Sequence, residues 1–96
     1  MIRHICMFKL KSENHDVVFA EAIRLAEPLK KLPQAVSGEV VVNAKEAPEN
    51  NYDLCLVFDF KTMADLDAYQ ADPIHLAFKN YVVANMESRA CIDCEI

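Results

Sequence analysis

The chain opens on a strict alternation of side-chain character. One set of alternating positions holds Ile2, His4, Cys6, Phe8 and Leu10. Successive side chains of a strand point to opposite faces, so this period of two predicts a first strand over residues 2–11. The other set of positions mixes charged residues with Ile5 and Met7, so the second face of the strand is expected to be partly apolar as well.

A helical pattern follows the first strand. Its apolar residues, spaced four and three apart, are Val18, Ala22, Leu25, Leu29 and Leu32. This stripe predicts a helix over residues 15–32, with Asn14 capping its start. Pro28 is expected to kink the helix or split off its last turn, because proline lacks an amide donor and clashes with the carbonyl four residues earlier.

The rest of the chain predicts a second and a third strand, two helices and a closing strand. The strands are expected over residues 39–44 and 52–60, separated by a polar loop, and over residues 89–96. A capping sequence at 62–65 opens a short helix that runs through Tyr69. Asp72 followed by Pro73 is typical of a helix start, and this helix is expected to extend to about Met86.

The element order β-α-β-β-α-β predicts one α+β domain over residues 1–96, with a ferredoxin-like four-stranded antiparallel sheet and both helical segments on one face. The other face should then carry Ile5, Met7, Cys55 and Val57. An apolar sheet face needs a covering layer, and a second copy of the sheet would supply it as a homodimeric α+β barrel. The alternative is a monomer with an exposed apolar patch.

Composition and charge exclude several function classes. Gly38 is the single glycine, so the sequence holds no glycine-rich phosphate loop for a nucleotide cofactor, and no cofactor is expected. The net charge of −5 opposes binding to nucleic acid or to an anionic membrane surface. No apolar run is long enough to span a membrane, and the first residues do not resemble a secretory signal. A cytoplasmic protein is therefore expected.

The four cysteines are expected to be free thiols in that compartment. Cys91 and Cys94 form a C-x-x-C motif, which invites a redox or metal hypothesis. On a strand, however, residues three apart point to opposite faces, so the two sulfur atoms should diverge. Cys6 and Cys55 do not form a second pair in the sequence. The motif thus predicts neither a metal site nor a redox site.

Several short segments together resemble a known family. They are Arg3-His4-Ile5, Phe8 to Lys11, Tyr52-Asp53-Leu54, Leu66 to Tyr69, and Asp72 to His75 followed by Phe78. The combination is similar to the stress-responsive α/β-barrel domain family (Dabb) over essentially the whole chain. The resemblance implies a dimeric α+β barrel, and the best understood branch of that family consists of plant polyketide cyclases. Where the family commonly has a histidine before the proline, this chain has Asp72.

The resemblance also implies roles for two residues. In the cyclase branch a tyrosine and a histidine act as acid and base, and Tyr69 and His75 occupy the matching positions. The residues themselves place His75 in the first turn of a helix, where the helix dipole favours a neutral imidazole that can accept a proton. The alternative interpretations are a surface histidine at position 75 and a tyrosine that only packs in the core.

His4 and Asp93 are the other candidates for chemistry. His4 shares the helix-facing side of its strand with Cys6 and Phe8, so it is either a hydrogen-bonded core residue or a pocket residue. Asp93 is either an exposed carboxylate or the group that orients a histidine.

The functional hypothesis is a barrel that binds a small apolar ligand, with Cys6, Phe8 and Phe78 in the pocket wall and no metal. Acid–base chemistry there would suit an aldol-type cyclisation or an isomerisation. The alternative is a non-catalytic stress-response or assembly module. An open cavity that reaches His75 would favour ligand binding, whereas a closed core would favour the module.

Overall fold

The computed structural model describes residues 1–96 and contains four strands, three α-helices and one 3-10 helix. The strands are β1 (Ile2–Leu10), β2 (Ser37–Val42), β3 (Leu54–Phe60) and β4 (Met86–Glu95). The helices are α1 (His15–Ala26), α2 (Met63–Ala71) and α3 (Pro73–Ala84), and a 3-10 helix at Glu27–Lys31 follows α1. The predicted element order is confirmed. No helix combines the length and apolar character needed to cross a membrane.

The helix starts and stops follow local chemistry. α1 ends at Ala26, and Pro28 lies in the first turn of the 3-10 helix, so the proline splits off the last turn as predicted. Thr62 Oγ1 accepts the amide of Asp65 at 3.2 Å. Asp72 Oδ1 accepts the amide of Ile74 at 2.9 Å. Both caps were predicted from the sequence.

Asn14 is the N-cap residue of α1, as predicted, but it does not cap the helix through its side chain. Asn14 precedes α1, but its backbone is left-handed, with φ of 53°, and its side chain makes no capping bond. Asparagine tolerates this conformation better than most residues, because its short polar side chain can bond locally. The backbone carbonyl of Asn14 accepts the amide of Val18 at 3.0 Å and so starts the helix.

Strand boundaries differ from the predictions by two or three residues, because pairing sets them. β2 lies two residues earlier than expected, since Ser37 pairs with Asp59 and Val42 pairs with Leu54. β4 begins at Met86 rather than residue 89, because a register shift near the end of β1 brings Met86 opposite Leu10. α3 therefore ends at Ala84.

The sheet has the order β2-β3-β1-β4, and all its neighbouring strands are antiparallel. β1 and β3 are the central strands, and on each of them alternate residues are buried beneath the helices. The buried core includes Phe58, Phe60, Tyr69, Phe78 and Leu10, each at most 1% exposed. On the edge strand β4, in contrast, the helix-facing residues Arg89, Cys91 and Asp93 are exposed. The helices therefore leave this edge of the sheet uncovered.

The opposite face of the sheet carries no helix. Ile5, Met7, Cys55 and Val57 point to it and are half-buried, as predicted. Val41 and Ile92, their neighbours on the outer strands, are 44% and 61% exposed. Within one chain, nothing covers this apolar surface.

The space above β3 leaves no room for a side chain at Gly38. Gly38 pairs with Phe58, and a Cβ atom at Gly38 would overlap the fully buried ring of Phe58. We expect Gly38→Ala to lower the free energy of unfolding by about 1–3 kcal/mol, the usual cost of overpacking. Denaturant unfolding measures this, with Ser37→Ala at the exposed neighbouring position as the control. Equal stability of Gly38→Ala and the unmodified protein would show that the ring moves aside without cost.

Candidate functional site

A cavity of about 230 Å³ lies between the sheet and the helices. Its walls come from β1, β3, the end of α2, α3 and the start of β4. The lining residues on the sheet side include His4, Cys6, Phe8 and Leu56. Those on the helix side include His75, Phe78, Lys79 and Val83. The predicted pocket residues Cys6, Phe8 and Phe78 thus share one cavity, and the cavity reaches His75.

His75 is held at the start of α3, three residues after the capping Asp72, and is only 8% exposed. Burial lowers the pKa of its imidazole to about 4, helped by the positive charge of Lys79 and by that of His4 whenever His4 is protonated. Its Nδ1 atom is buried and has no hydrogen-bond partner within the protein. The imidazole is therefore neutral at pH 7 and has an unused polar atom.

Tyr69 lies behind His75 and not in the cavity wall. Its ring is completely buried, with its centroid 4.7 Å from that of His75 and 5.0 Å from that of Phe60. Its hydroxyl is buried without a hydrogen-bond partner, and burial raises its pKa. Tyr69 is not among the residues that line the cavity. The structure therefore does not support the expectation that its phenol donates directly to a ligand.

His4 and Asp93 form a hydrogen-bonded pair beside the cavity. They lie opposite each other in the register of β1 and β4, and His4 Nδ1 is 2.5 Å from Asp93 Oδ1. His4 is 3% exposed, whereas about a third of the Asp93 side chain is exposed. A carboxylate that accepts the Nδ1 proton fixes the ring orientation and leaves Nε2 as the acceptor.

Sequence analysis missed the polar residues at the cavity mouth. Lys79, Arg89 and Gln70 all line the cavity. Lys79 follows His75 by four residues on α3, a spacing that places both on one helix face and could have identified it. Arg89 lies opposite Phe8, a relation that depends on the register of β4 and has no signal in the local sequence.

The prediction of four free cysteines is wrong for two of them. The structure joins Cys6 and Cys91 as a disulfide across β1 and β4, whereas Cys55 and Cys94 are free. Cys91 and Cys94 do point to opposite faces, as predicted, because their partners on β1 are Cys6 and Arg3. The expectation of free thiols rested on a reducing compartment, whereas the register of β1 and β4 places Cys6 directly opposite Cys91. A ring nitrogen of His4 lies near the two bonded sulfur atoms, and these three side chains are the residues that could hold a metal ion.

A second, more open cleft of about 520 Å³ lies at the other end of β1. The buried carboxylate of Asp53 accepts the amide of Leu10 at 2.7 Å and lies 3.1 Å from Nε2 of His15. Lys9 lies 3.8 Å from the same carboxylate and donates to two loop carbonyls. These bonds tie the end of β1 to the starts of α1 and β3. We assign this cleft a structural role.

The geometry can now be compared with known proteins. The sequence profile of the stress responsive A/B barrel domain, Dabb, matches residues 2–96. The chain belongs to the Dabb family. No match was found among curated proteins.

Solved structures share the fold of this Dabb domain. A dimeric protein of ferredoxin-like fold from Bacteroides fragilis is 26% identical, with a TM-score of 0.83 over 99% of this chain and 95% of that one. A dimeric ferredoxin-like protein from Thermobifida fusca is 22% identical, with a TM-score of 0.87 over 99% and 90% of the two chains. An antibiotic biosynthesis monooxygenase is 16% identical, with a TM-score of 0.81 over 100% and 98%. The ferredoxin-like fold is thereby confirmed.

The lowered pKa of His75 predicts a pH dependence of stability. Between pH 6.5 and about 4 the unfolded chain binds a proton at His75 and the folded protein does not. The free energy of unfolding should therefore fall as the pH falls through this window, by up to about 3 kcal/mol from this residue. Urea unfolding from pH 7.5 to 4 should give a shallower dependence for His75→Gln. An identical pH slope with and without His75 would contradict the burial argument.

Proposed function

We propose that this Dabb domain binds a small, largely apolar carbonyl compound in the cavity between sheet and helices and catalyses acid–base chemistry on it. The observation that carries the proposal is that one cavity reaches two buried histidines, one of them paired with a carboxylate and the other neutral. Pairs of titratable groups in contrasting environments at a cavity are typical of acid–base sites.

The cavity supports a specific ligand class. Its volume of about 230 Å³ lies below the ~300–1,000 Å³ of pockets for drug-sized ligands, which favours a small molecule. Phe8, Leu56 and Phe78 supply apolar walls, whereas Lys79 and Arg89 contribute positive charge. A small apolar body with a carbonyl or carboxylate oxygen matches this lining.

The environments of the two histidines favour distinct roles. The Asp93 carboxylate holds the imidazole of His4 and stabilises the imidazolium formed when Nε2 takes a proton, so His4 suits the general base. His75 stays neutral because of its low pKa, and a neutral imidazole at a helix start can polarise a carbonyl by donating a hydrogen bond. In this assignment His75 is the hydrogen-bond donor and not the general base that the sequence suggested. Tyr69, packed behind His75, is a positioning residue.

The proposed step needs no further reactant. His4 removes a proton from the carbon next to the ligand carbonyl, and the electron pair of the C–H bond moves to form an enolate. His75 donates a hydrogen bond to the enolate oxygen. In a conjugated ligand the enolate charge is shared by a second carbon, and return of the proton from His4 to that carbon is an isomerisation. In a ligand with a second carbonyl, the enolate carbon instead attacks that carbonyl. In that cyclisation His4 returns its proton to the new alkoxide.

A homodimer is part of the proposal. The apolar sheet face around Ile5, Met7, Cys55 and Val57 has no cover within the chain. Two solved relatives of the same fold are described as dimeric. A second copy packed face to face would bury this surface, and the burial would stabilise the dimer by ~25 cal/mol for each Å² of apolar area. The cavity lies on the opposite side of the sheet and would stay accessible.

A cytoplasmic location also belongs to the proposal. It rests on the finding that no helix is long and apolar enough to span a membrane. Cytoplasmic glutathione and thioredoxin would keep Cys6 and Cys91 reduced for much of the time.

We expect the protein to accelerate deuterium exchange at the carbon next to the carbonyl of a small cyclic monoketone in D₂O, a class of compound whose uncatalysed exchange is slow at neutral pH. Proton NMR follows the exchange directly and does not require the natural substrate. His4→Ala and His75→Ala should each lower the rate about 10²–10⁴-fold, the usual effect of a positioned acid or base. Tyr69→Phe should cost less, because it keeps the ring against His75.

His15→Gln is the matched control, since His15 lies outside the cavity, and its exchange rate should equal that of the unmodified protein. Ketone binding without any faster exchange would favour the alternative function, a non-catalytic stress-response or assembly module. Equal rates in all histidine variants would rule out the proposed chemistry.

We expect Val57→Asp to separate the subunits or prevent folding, because dimerisation would bury an unpaired charge on the sheet face. Sedimentation at micromolar concentration should give a dimer for the unmodified protein. Val17→Asp is the matched control, because Val17 lies on α1 and is 70% exposed. This control should remain dimeric. A monomeric unmodified protein would contradict the dimer.

A further inference from the structure

Three side chains that bind soft metals converge at the β1–β4 pair. One ring nitrogen of His4 and the sulfur atoms of Cys6 and Cys91 all lie within 4.8 Å of one another. The two cysteines are direct partners in the antiparallel register, with Cα atoms 4.2 Å apart. Asp93 holds the imidazole of His4 beside them, with 2.5 Å between Nδ1 and the carboxylate oxygen. The positions of all three side chains are thus fixed by the sheet.

The two sulfur atoms can be reached by a reductant. Cys6 is 2% exposed, but Cys91 lies on the uncovered part of β4 and is exposed. A phosphine attacks the accessible sulfur, and one phosphine and one water then yield two thiols and one phosphine oxide. This two-electron reduction frees both sulfur atoms.

The reduced cluster matches the coordination chemistry of zinc. Zinc binds cysteine sulfur at about 2.3 Å and histidine nitrogen at about 2.0–2.1 Å in a tetrahedron, so its ligand atoms lie within 4.8 Å of one another. Two thiolates neutralise a divalent cation, so metal binding at the buried Cys6 does not bury an unpaired charge. His4 and Cys6 also line the cavity, which would give a water or small ligand access to the fourth coordination position.

We propose that the reduced protein binds Zn²⁺ through Cys6, Cys91 and His4, and that the disulfide excludes the ion. Binding displaces the two thiol protons to solvent. Oxidation of both sulfur atoms removes the two thiolate ligands together. The site shares His4 with the proposed acid–base pair, but it does not depend on the existence of that chemistry.

Equilibrium dialysis against Zn²⁺ tests the proposal, using protein that has been reduced with a phosphine and freed of the reductant under anaerobic conditions. The reduced protein should bind one Zn²⁺ per chain, and the oxidised protein should bind none. Cobalt(II) gives an independent signal, because thiolate ligands add a charge-transfer absorption in the near ultraviolet. Cys91→Ser should abolish both signals. Because Cys91 is exposed, this variant should keep its fold, which circular dichroism checks.

A double variant, Cys55→Ser with Cys94→Ser, is the matched control. It removes the two free cysteines and leaves the cluster intact, so it should bind Zn²⁺ like the unmodified reduced protein. Failure of the reduced protein to bind, unchanged binding by Cys91→Ser, or loss of binding in the double variant would each overturn the proposal. None of these outcomes bears on the exchange assay, which is run on oxidised protein without metal.

Discussion

The pairing of β1 with β4 is the constraint on which the rest of this structure depends. β1 lies inside the sheet between β3 and β4, so its residues meet partners from the far end of the chain. This register places His4 opposite Asp93 and Cys6 opposite Cys91. A shift of one residue in the register of β4 would turn every side chain of β4 to the other face of the sheet and separate both pairs. The candidate site therefore depends on the ladder of backbone hydrogen bonds as much as on its side chains.

Much of the fold could be predicted from local sequence because local chemistry determines it. Alternation assigned each residue of β1 and β3 to a face, and the proline and capping residues set the starts of the 3-10 helix, α2 and α3. The register could not be predicted in this way, because a period of two gives the face of a residue but not its partner. For that reason the Cys6–Cys91 disulfide, the early start of β4 at Met86 and the place of Arg89 in the cavity were all missed.

The candidate residues were identified from the sequence, but the depth of each side chain in the fold was not. His4, His75 and Phe78 were expected around one pocket, and all three line the same cavity. Tyr69 was assigned to the ligand because of its position in the sequence, yet the ring of His75 lies against it and it does not line the cavity. Sequence alone could not reveal this layering, because the depth of a side chain depends on how two helices meet above a sheet. The low pKa of His75 follows from the same packing.

Two buried polar atoms near the cavity, the Tyr69 hydroxyl oxygen and His75 Nδ1, have no hydrogen-bond partner. They lower the stability of the folded protein. Each buried group without a partner costs roughly 1–3 kcal/mol, a large share of the 5–15 kcal/mol that keeps a small domain folded. Selection for stability alone would replace both with apolar residues of similar shape. Replacing either group with an apolar residue of similar shape is therefore expected to stabilise the fold, and it would remove a polar atom from beside the cavity.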